Sequence, residues 1–328
     1  MKKIVYYSVL AGFLSSFGTL SARAQTVWSM PTEYPATAMP GEGVTTFAEA
    51  IAKRLPGKLV IKPSYNAESG FKSADLPGAV AGGKVQAADA FSGAMGKLDP
   101  AFELASLPFL ASTLEDARRL AGEARPYYEK ALAARGLKLL YTTPWPPSGI
   151  WSKAPVANAD ALNKLAIRTY DANSLAVFKA AGADAANLSF KDVMPRLKDG
   201  SIVAVLSSGD GGAGRKLWEY LPNFTAVNYA VPLSFAFVQR EAFEALPEAD
   251  RKAVMEAAQE TEARQWKAIE GRLERNYATM RANGVAIVTA APADVSARLR
   301  TAASAVIDAW AAKAGDDGKA ILAKARKP

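Results

Sequence analysis

Along this chain, short apolar runs alternate with stretches in which apolar residues recur every three or four positions. "TVWSM" (26–30) and "KLVIKPS" (58–64) have the character of strands. Between them Phe47, Ile51 and Leu55 fall at i, i+4 and i+8, which predicts a helix from Val44 to Arg54, stopped by Pro56-Gly57. "GAVAGGKVQAADAFSG" (78–93) predicts a helix, a turn and a short strand ending at Phe91-Ser92. Residues 114–135 carry a helical pattern and "LKLLYTTPW" (137–145) a strand. Strand–helix alternation of this kind defines an α/β fold with largely parallel sheets.

The texture changes after Trp145. "PWPPSGIWSKAPV" (144–156) holds four prolines, one glycine and two tryptophans. The alternation then resumes, with strand 165–169, helices 172–181 and 190–198 and strand 202–206, before a second long extended passage, "TAVNYAVPLSFAFVQ" (225–239). Two extended passages around one compact unit predict a lobe inserted into another, joined by two crossover strands that form a hinge. The expected division is 25–145 with 232–262 as lobe 1, and 146–231 with 263–328 as lobe 2. The longest helical signal runs from Pro247 to Asn283-Gly284, interrupted only by Gly271. At about 1.5 Å per residue it reaches roughly 50 Å, longer than one lobe, and is expected to lie across both. "VAIV" (285–288) and an Ala-rich helix from Pro292 to Lys313 follow.

Composition narrows the chemistry. Residues 1–24 read as a secretory signal: Lys2 and Lys3, an apolar stretch from Ile4 to Leu20, and Ala22-Arg23-Ala24 as a small-x-small cleavage site. Cleavage after Ala24 and a periplasmic location are expected. The chain has no cysteine and no histidine. The fold therefore stands on burial alone, and Ser-His-Asp, Cys-His and His-zinc chemistry are excluded. The formal charge of +8 is spread along the chain with no basic stripe interleaved with aromatics, so nucleic acid is not an expected partner. Acidic residues concentrate on helix surfaces such as "EADRKAVMEAAQETEAR", and no pair suited to acid–base catalysis stands out.

One strand raises a question of its own. In "LNKLAIRTYD" (162–171) the apolar run 165–167 leads directly into Arg168. Such an arginine either leaves the sheet for water or a local acid such as Asp171, or waits at the strand end for an anion. Its planar fork suits a carboxylate and stays charged at any relevant pH.

The order of these elements, with "LAIR", "NLSFKDVMPRLKDGSIVAV" (187–205) and "NYAVPL" (228–233), resembles the substrate-binding proteins of tripartite ATP-independent periplasmic (TRAP) transporters, dicarboxylate type. The resemblance covers essentially the whole chain after residue 24. Its most specific parts are L-x-x-L-x-I-R at 162–168 and "GADAANLSFKDVMPRLKDGSIVAV" at 182–205. It implies a two-lobed periplasmic-binding-protein-like fold, type II-like, with a long helix spanning both lobes, and a receptor that performs no chemistry. It implies Arg168 as the bidentate carboxylate anchor and Phe190 as the ring packed on the ligand. Phe91, Trp145, Trp151, Tyr170 and Tyr229 fall near the expected rim, and Ser92 closes the strand that carries Phe91. Ser207 and Ser208 stand where many relatives carry an asparagine. Glu33 and Tyr34 occupy a loop where relatives contact ligand, although a loop acid such as Glu33 reads more simply as solvated. Many relatives have a second arginine upstream, where this chain reads "SGIWS" with Ile150 near the place.

These departures point to a monocarboxylate with an apolar or aromatic body. "SGDGGAGR" (208–215) lacks the spacing of a phosphate loop and reads as a flexible turn, with Asp210 a candidate beside a bound cation. The expected partners are a small organic acid and membrane permease subunits, with the receptor monomeric and free of cofactors. The competing readings are an ABC-type or other solute receptor, and an exported enzyme using carboxylates.

Overall fold

A computed structural model describes residues 25–111 and 113–325, so the expected signal lies outside the described residues. The chain begins with β1 (Thr26–Pro31), α1 (Met39–Arg54), β2 (Leu59–Ser64), α2 (Leu76–Ala81), β3 (Ala87–Phe91), α3 (Leu114–Ala133) and β4 (Leu137–Pro144). It then crosses into β5 (Ser148–Ser152), β6 (Ala166–Thr169), α4 (Ala172–Ala180), β7 (Asp184–Asn187), α5 (Phe190–Lys198), β8 (Ala204–Ser208), α6 (Gly209–Gly214) and β9 (Asn223–Thr225). A second crossing leads to β10 (Leu233–Gln239), α7 (Arg240–Glu244) and α8 (Glu248–Ala268), and the chain closes with α9 (Arg272–Ala282), β11 (Ala286–Val288) and α10 (Ala293–Ala325).

Two lobes result. In the first, β1 pairs in parallel with β2, and β10 lies between β3 and β4. A bridge between Thr32 and Asp89 joins the two sheets. The second lobe is one six-stranded sheet in the order β11-β9-β5-β8-β6-β7. The expectation of largely parallel sheets needs correction at the crossovers. β5 and β10, each entered directly from the other lobe, run antiparallel to both of their neighbours. β5 itself lies inside the proline-rich passage, whose composition masks a fully buried strand.

α1 begins at Met39, earlier than its apolar spacing indicates, because the Met39 N–H donates to the distant Asp210 carboxylate at 2.8 Å. The long helix spans both lobes as expected. α8 packs on α1 and β4, α9 packs on α6 and β11, and a 3-10 turn at Ile269–Gly271 winds the helix more tightly between them without leaving right-handed helical backbone. α10 is also shared. Val295, Leu299 and Ala303 lie in an apolar cluster of the second lobe, whereas Trp310, Ile321 and Leu322 lie in the core of the first. The sequence division placed all of 263–328 in lobe 2. Gly315 (φ 65°, ψ −155°) allows the bend that carries this tail back.

Asp89 sits fully buried at the join of the first lobe's sheets. One oxygen accepts the Thr32 hydroxyl at 3.0 Å, and the other has no partner among the described residues. Burial, only partly opposed by that bond, pushes its pKa up to about 7. The folded chain therefore holds this proton more tightly than the unfolded chain does. Its contribution is most favourable below the unfolded value of about 4 and is lost as pH rises through 7. Between about pH 5 and pH 8 the loss is roughly 2–3 kcal/mol. Asp89→Asn removes the titration, so its melting temperature is expected to fall less over that interval than that of the unsubstituted protein.

Candidate ligand-binding site

Every strand that reaches the cleft does so by its end, the usual place for a ligand in open α/β sheets. β1 delivers Tyr34 on the following loop, β3 delivers Phe91, β6 delivers Arg168 and Tyr170, and β8 delivers Ser207 and Ser208. Phe190 comes from the first turn of α5 and Gly211 from α6, while the crossovers supply Trp145, Ser148 and Pro232. Together they line a small cavity between the lobes. The lobes are closed on a small chamber. No acidic side chain among the described residues lines it.

Arg168 neither leaves the sheet for water nor pairs with a local acid. It is only 4% exposed, and its Nε and Nη1 donate to the carbonyls of Leu188 (2.9 Å) and Leu206 (3.0 Å). These carbonyls belong to the ends of neighbouring chain segments, so the sheet itself pins the guanidinium. Nη2 and the second N–H of Nη1 remain for a ligand. No acid among the described residues lies within ion-pair distance. Asp171 is committed elsewhere: it caps α4, its Oδ1 accepting from the Ser174 N–H at 2.7 Å and the Ser174 hydroxyl at 2.5 Å. Burial lowers the Arg168 pKa from its ordinary value, opposed by the nearby Tyr34, Glu33, Tyr170 and Asp171. A buried, unpaired, pre-oriented guanidinium is a costly feature that an anion would compensate.

Aromatic rings form the walls. Tyr34 meets Trp145 edge-on at 4.7 Å, and Phe91 meets Tyr170 at 5.2 Å. The Trp145 N–H is already given to the Ser234 hydroxyl at 3.1 Å, so the indole adds apolar surface to the chamber. Phe190 lies between two guanidinium groups, Arg168 at 5.2 Å and Arg215 at 5.4 Å.

Arg215 was not singled out from the sequence. It follows α6 and donates to the carbonyl of Glu33 at 2.8 Å, which holds a second cation against the Phe190 ring. Glu33 itself is not the solvated loop acid expected. It is 1% exposed, and its carboxylate accepts the Ser73 N–H of the first lobe (2.8 Å) and the Lys191 N–H of the second (2.9 Å). It bridges the lobes, and the Lys72–Asp192 ion pair (2.7 Å) adds a second, more exposed link between them.

Besides Glu33, four candidates stand outside the chamber wall. Trp151 is core: it packs on Phe224 at 5.3 Å and donates to the Ser208 carbonyl at 3.2 Å, supporting the site from behind. Tyr229 packs among Phe109, Phe178 and Tyr170. Ser92 is wholly buried, and its hydroxyl has no partner among the described residues. Asp210 accepts from Met39 N–H and, at 2.5 Å, from Arg272 Nε, so both oxygens are used within the protein. The run that contains it is a short helix, not a flexible turn. Conversely, Ser148, Gly211 and Pro232 line the chamber without having been singled out. Ile150, near the place of the relatives' second arginine, is buried core.

A two-lobed α/β protein whose crossover hinge encloses an unpaired arginine in an aromatic chamber belongs to the class of solute receptors. Residues 31–314 match the bacterial extracellular solute-binding protein family 7, DctP, and the chain belongs to that family, the TRAP-type receptors. Among solved structures, DctP6 and DctP7 of Bordetella pertussis, described as extracytoplasmic solute receptors binding pyroglutamic acid, superpose with a TM-score of 0.88 each. They share 30% and 29% identity with this chain, covering 92% of it and all of theirs. A marine metagenome TRAP solute-binding protein described as specific for pyroglutamate is 27% identical, with the same TM-score, over 93% of this chain and all of its own. The family consists of extracytoplasmic substrate-binding receptors rather than enzymes, and membership implies delivery to a membrane permease.

Proposed function

We propose that this protein captures a small monocarboxylate with a compact, largely apolar body, pyroglutamate being the leading candidate, and delivers it to a TRAP permease. The observation that carries the reading is Arg168: buried, held by two carbonyls, without an acidic partner, and facing a chamber of aromatic walls. The carboxylate would take the free edge of the guanidinium, the body would lie among Tyr34, Trp145 and Phe190, and Ser148, Ser207 and Ser208 would offer polar contacts. A chamber this tight between aromatic walls favours a small acid. Closure follows because the buried salt bridge forms only when both lobes enclose the ligand, so ligand stabilises the closed state more than the open one. Binding and release, as in the family's substrate-binding receptors, is the function this reading assigns. The protein acts in the periplasm as a monomer after cleavage following Ala24.

The test is a thermal-shift screen of residues 25–328 against organic acids of graded size and charge. At 100 times Kd a ligand stabilises by about 2.7 kcal/mol, several degrees for a chain of this length. Pyroglutamate and acids of similar size are expected to give the largest shifts. A screen in which only neutral or cationic solutes shift the melting curve would overturn the reading.

A further inference from the structure

The segment "GDGGAG" that forms α6 is an unusual helix. Four of its six residues are glycine, a poor helix former. Building a Cβ on each shows what each glycine accommodates. At Gly209 it would lie 3.1 Å from the Met280 sulfur, at Gly212 2.2 Å from the Trp151 ring, and at Gly214 3.0 Å from Pro35. These three positions let α6 pack against α9, the indole and the loop from the first lobe. Gly211 differs. Its Cβ would lie 2.5 Å from Ser207 Oγ, 3.6 Å from Ser208 Oγ and 3.7 Å from the Trp145 ring, all three on the chamber wall. The side chain missing at Gly211 is therefore a piece of the chamber itself.

We infer that Gly211 determines ligand size: it leaves open the volume between Ser207 and Trp145 that the body of a ring-sized acid fills once its carboxylate is on Arg168. The inference rests on the receptor reading and goes beyond it by assigning the upper size limit to one backbone position. In a chamber with so little free space, one added methyl group displaces ligand atoms or pushes Ser207 into their place. A one-carbon change in an apolar pocket alters discrimination by about 10- to 200-fold. Because alanine is a better helix former than glycine, the substitution need not cost the fold anything apart from the Ser207 contact.

The experiment measures affinities for L-pyroglutamate and for two- and three-carbon monocarboxylates in the unsubstituted protein, in Gly211→Ala, and in Gly211→Ala with Ser207→Ala. The double variant removes the hydroxyl that the new methyl group would meet. In Gly211→Ala the ratio of pyroglutamate to small-acid affinity is expected to fall about tenfold or more. Because Ser207 lines the chamber, Ser207→Ala alone is measured as the reference for the double variant, whose ratio is expected to lie closer to that of Ser207→Ala than the Gly211→Ala ratio lies to that of the unsubstituted protein. A ratio unchanged in Gly211→Ala, or one depressed as much in a folded double variant relative to Ser207→Ala as in Gly211→Ala relative to the unsubstituted protein, would overturn the size assignment while leaving the receptor reading intact. Failure of the unsubstituted protein to bind any of these acids would overturn the receptor reading and the inference with it.

Discussion

Arg168→Ala is expected to lose carboxylate binding by about a hundredfold to several thousandfold. Removing one member of a buried, hydrogen-bonded charge pair costs about 3–5 kcal/mol, with a factor of ten for each 1.4 kcal/mol. The loss has two sources. The ligand carboxylate would be buried without its counter-charge, and the chamber offers only hydroxyl groups in exchange. Arg168→Lys retains charge but cannot hold the Leu188 and Leu206 carbonyls while presenting a planar fork, so it is expected to fall between the two. Equilibrium titration of each folded variant with pyroglutamate gives the ranking directly. Equal affinity for the alanine variant and the unsubstituted protein would show that Arg168 is a structural strand-end residue.

Asp210→Ala is expected to give a large loss of stability, about 3 kcal/mol, by removing the acid from a buried ion-pair network. Asp210 is 2% exposed and joins three elements: α6, which carries it, the start of α1 through the Met39 N–H, and α9 through Arg272. Arg272 also donates to Glu42 at 2.8 Å and to the Thr37 carbonyl. Without the carboxylate, the Met39 N–H loses its acceptor at the positive end of a helix and Arg272 loses its most buried partner. The network ties the wall of the second lobe to the first lobe beside the chamber, so ligand affinity is expected to weaken as well, through a looser closed state. Thermal melting with and without pyroglutamate separates the two effects. A variant that melts within a degree or two of the unsubstituted protein would mean that the network is strained or redundant.

What the sequence revealed follows from how far apart the interacting residues lie. Arg168 and Phe190 were legible because each sits in a short motif, and β6 and α5 place them by local pattern alone. Ser207 and Ser208 were reached through the resemblance, as the positions where many relatives carry an asparagine, and the strand expected to end at 206 runs on to include them. The residues that were misread or overlooked act through partners far along the chain. Glu33 finds Lys191 158 positions away, Arg215 reaches Glu33 across 182, and Asp210 meets Met39 across 171. No local periodicity encodes such a contact, and an acid in a Pro- and Thr-rich loop looks the same whether solvated or clamped. β5 was hidden for a different reason: its flanking prolines signal a linker, and its pairing depends on where the crossover enters the second sheet. The direction of β5 and β10 is likewise a property of the two crossings rather than of either strand. Trp151 and Tyr229 show the limit of reading aromatic residues as site residues, since their rings are as buried as the chamber's but face the core.

A carboxylate is the partner proposed for Arg168. The most direct measurement is a calorimetric titration of L-pyroglutamate into ligand-stripped protein, with the corresponding uncharged amide titrated in parallel. The two solutes share size and ring and differ in the charge that meets the guanidinium. Saturable binding of the acid, with the amide weaker by about a hundredfold or more, is the expected result. Equal affinities for acid and amide, or binding of the amide alone, would contradict the account and assign the chamber to a neutral ligand.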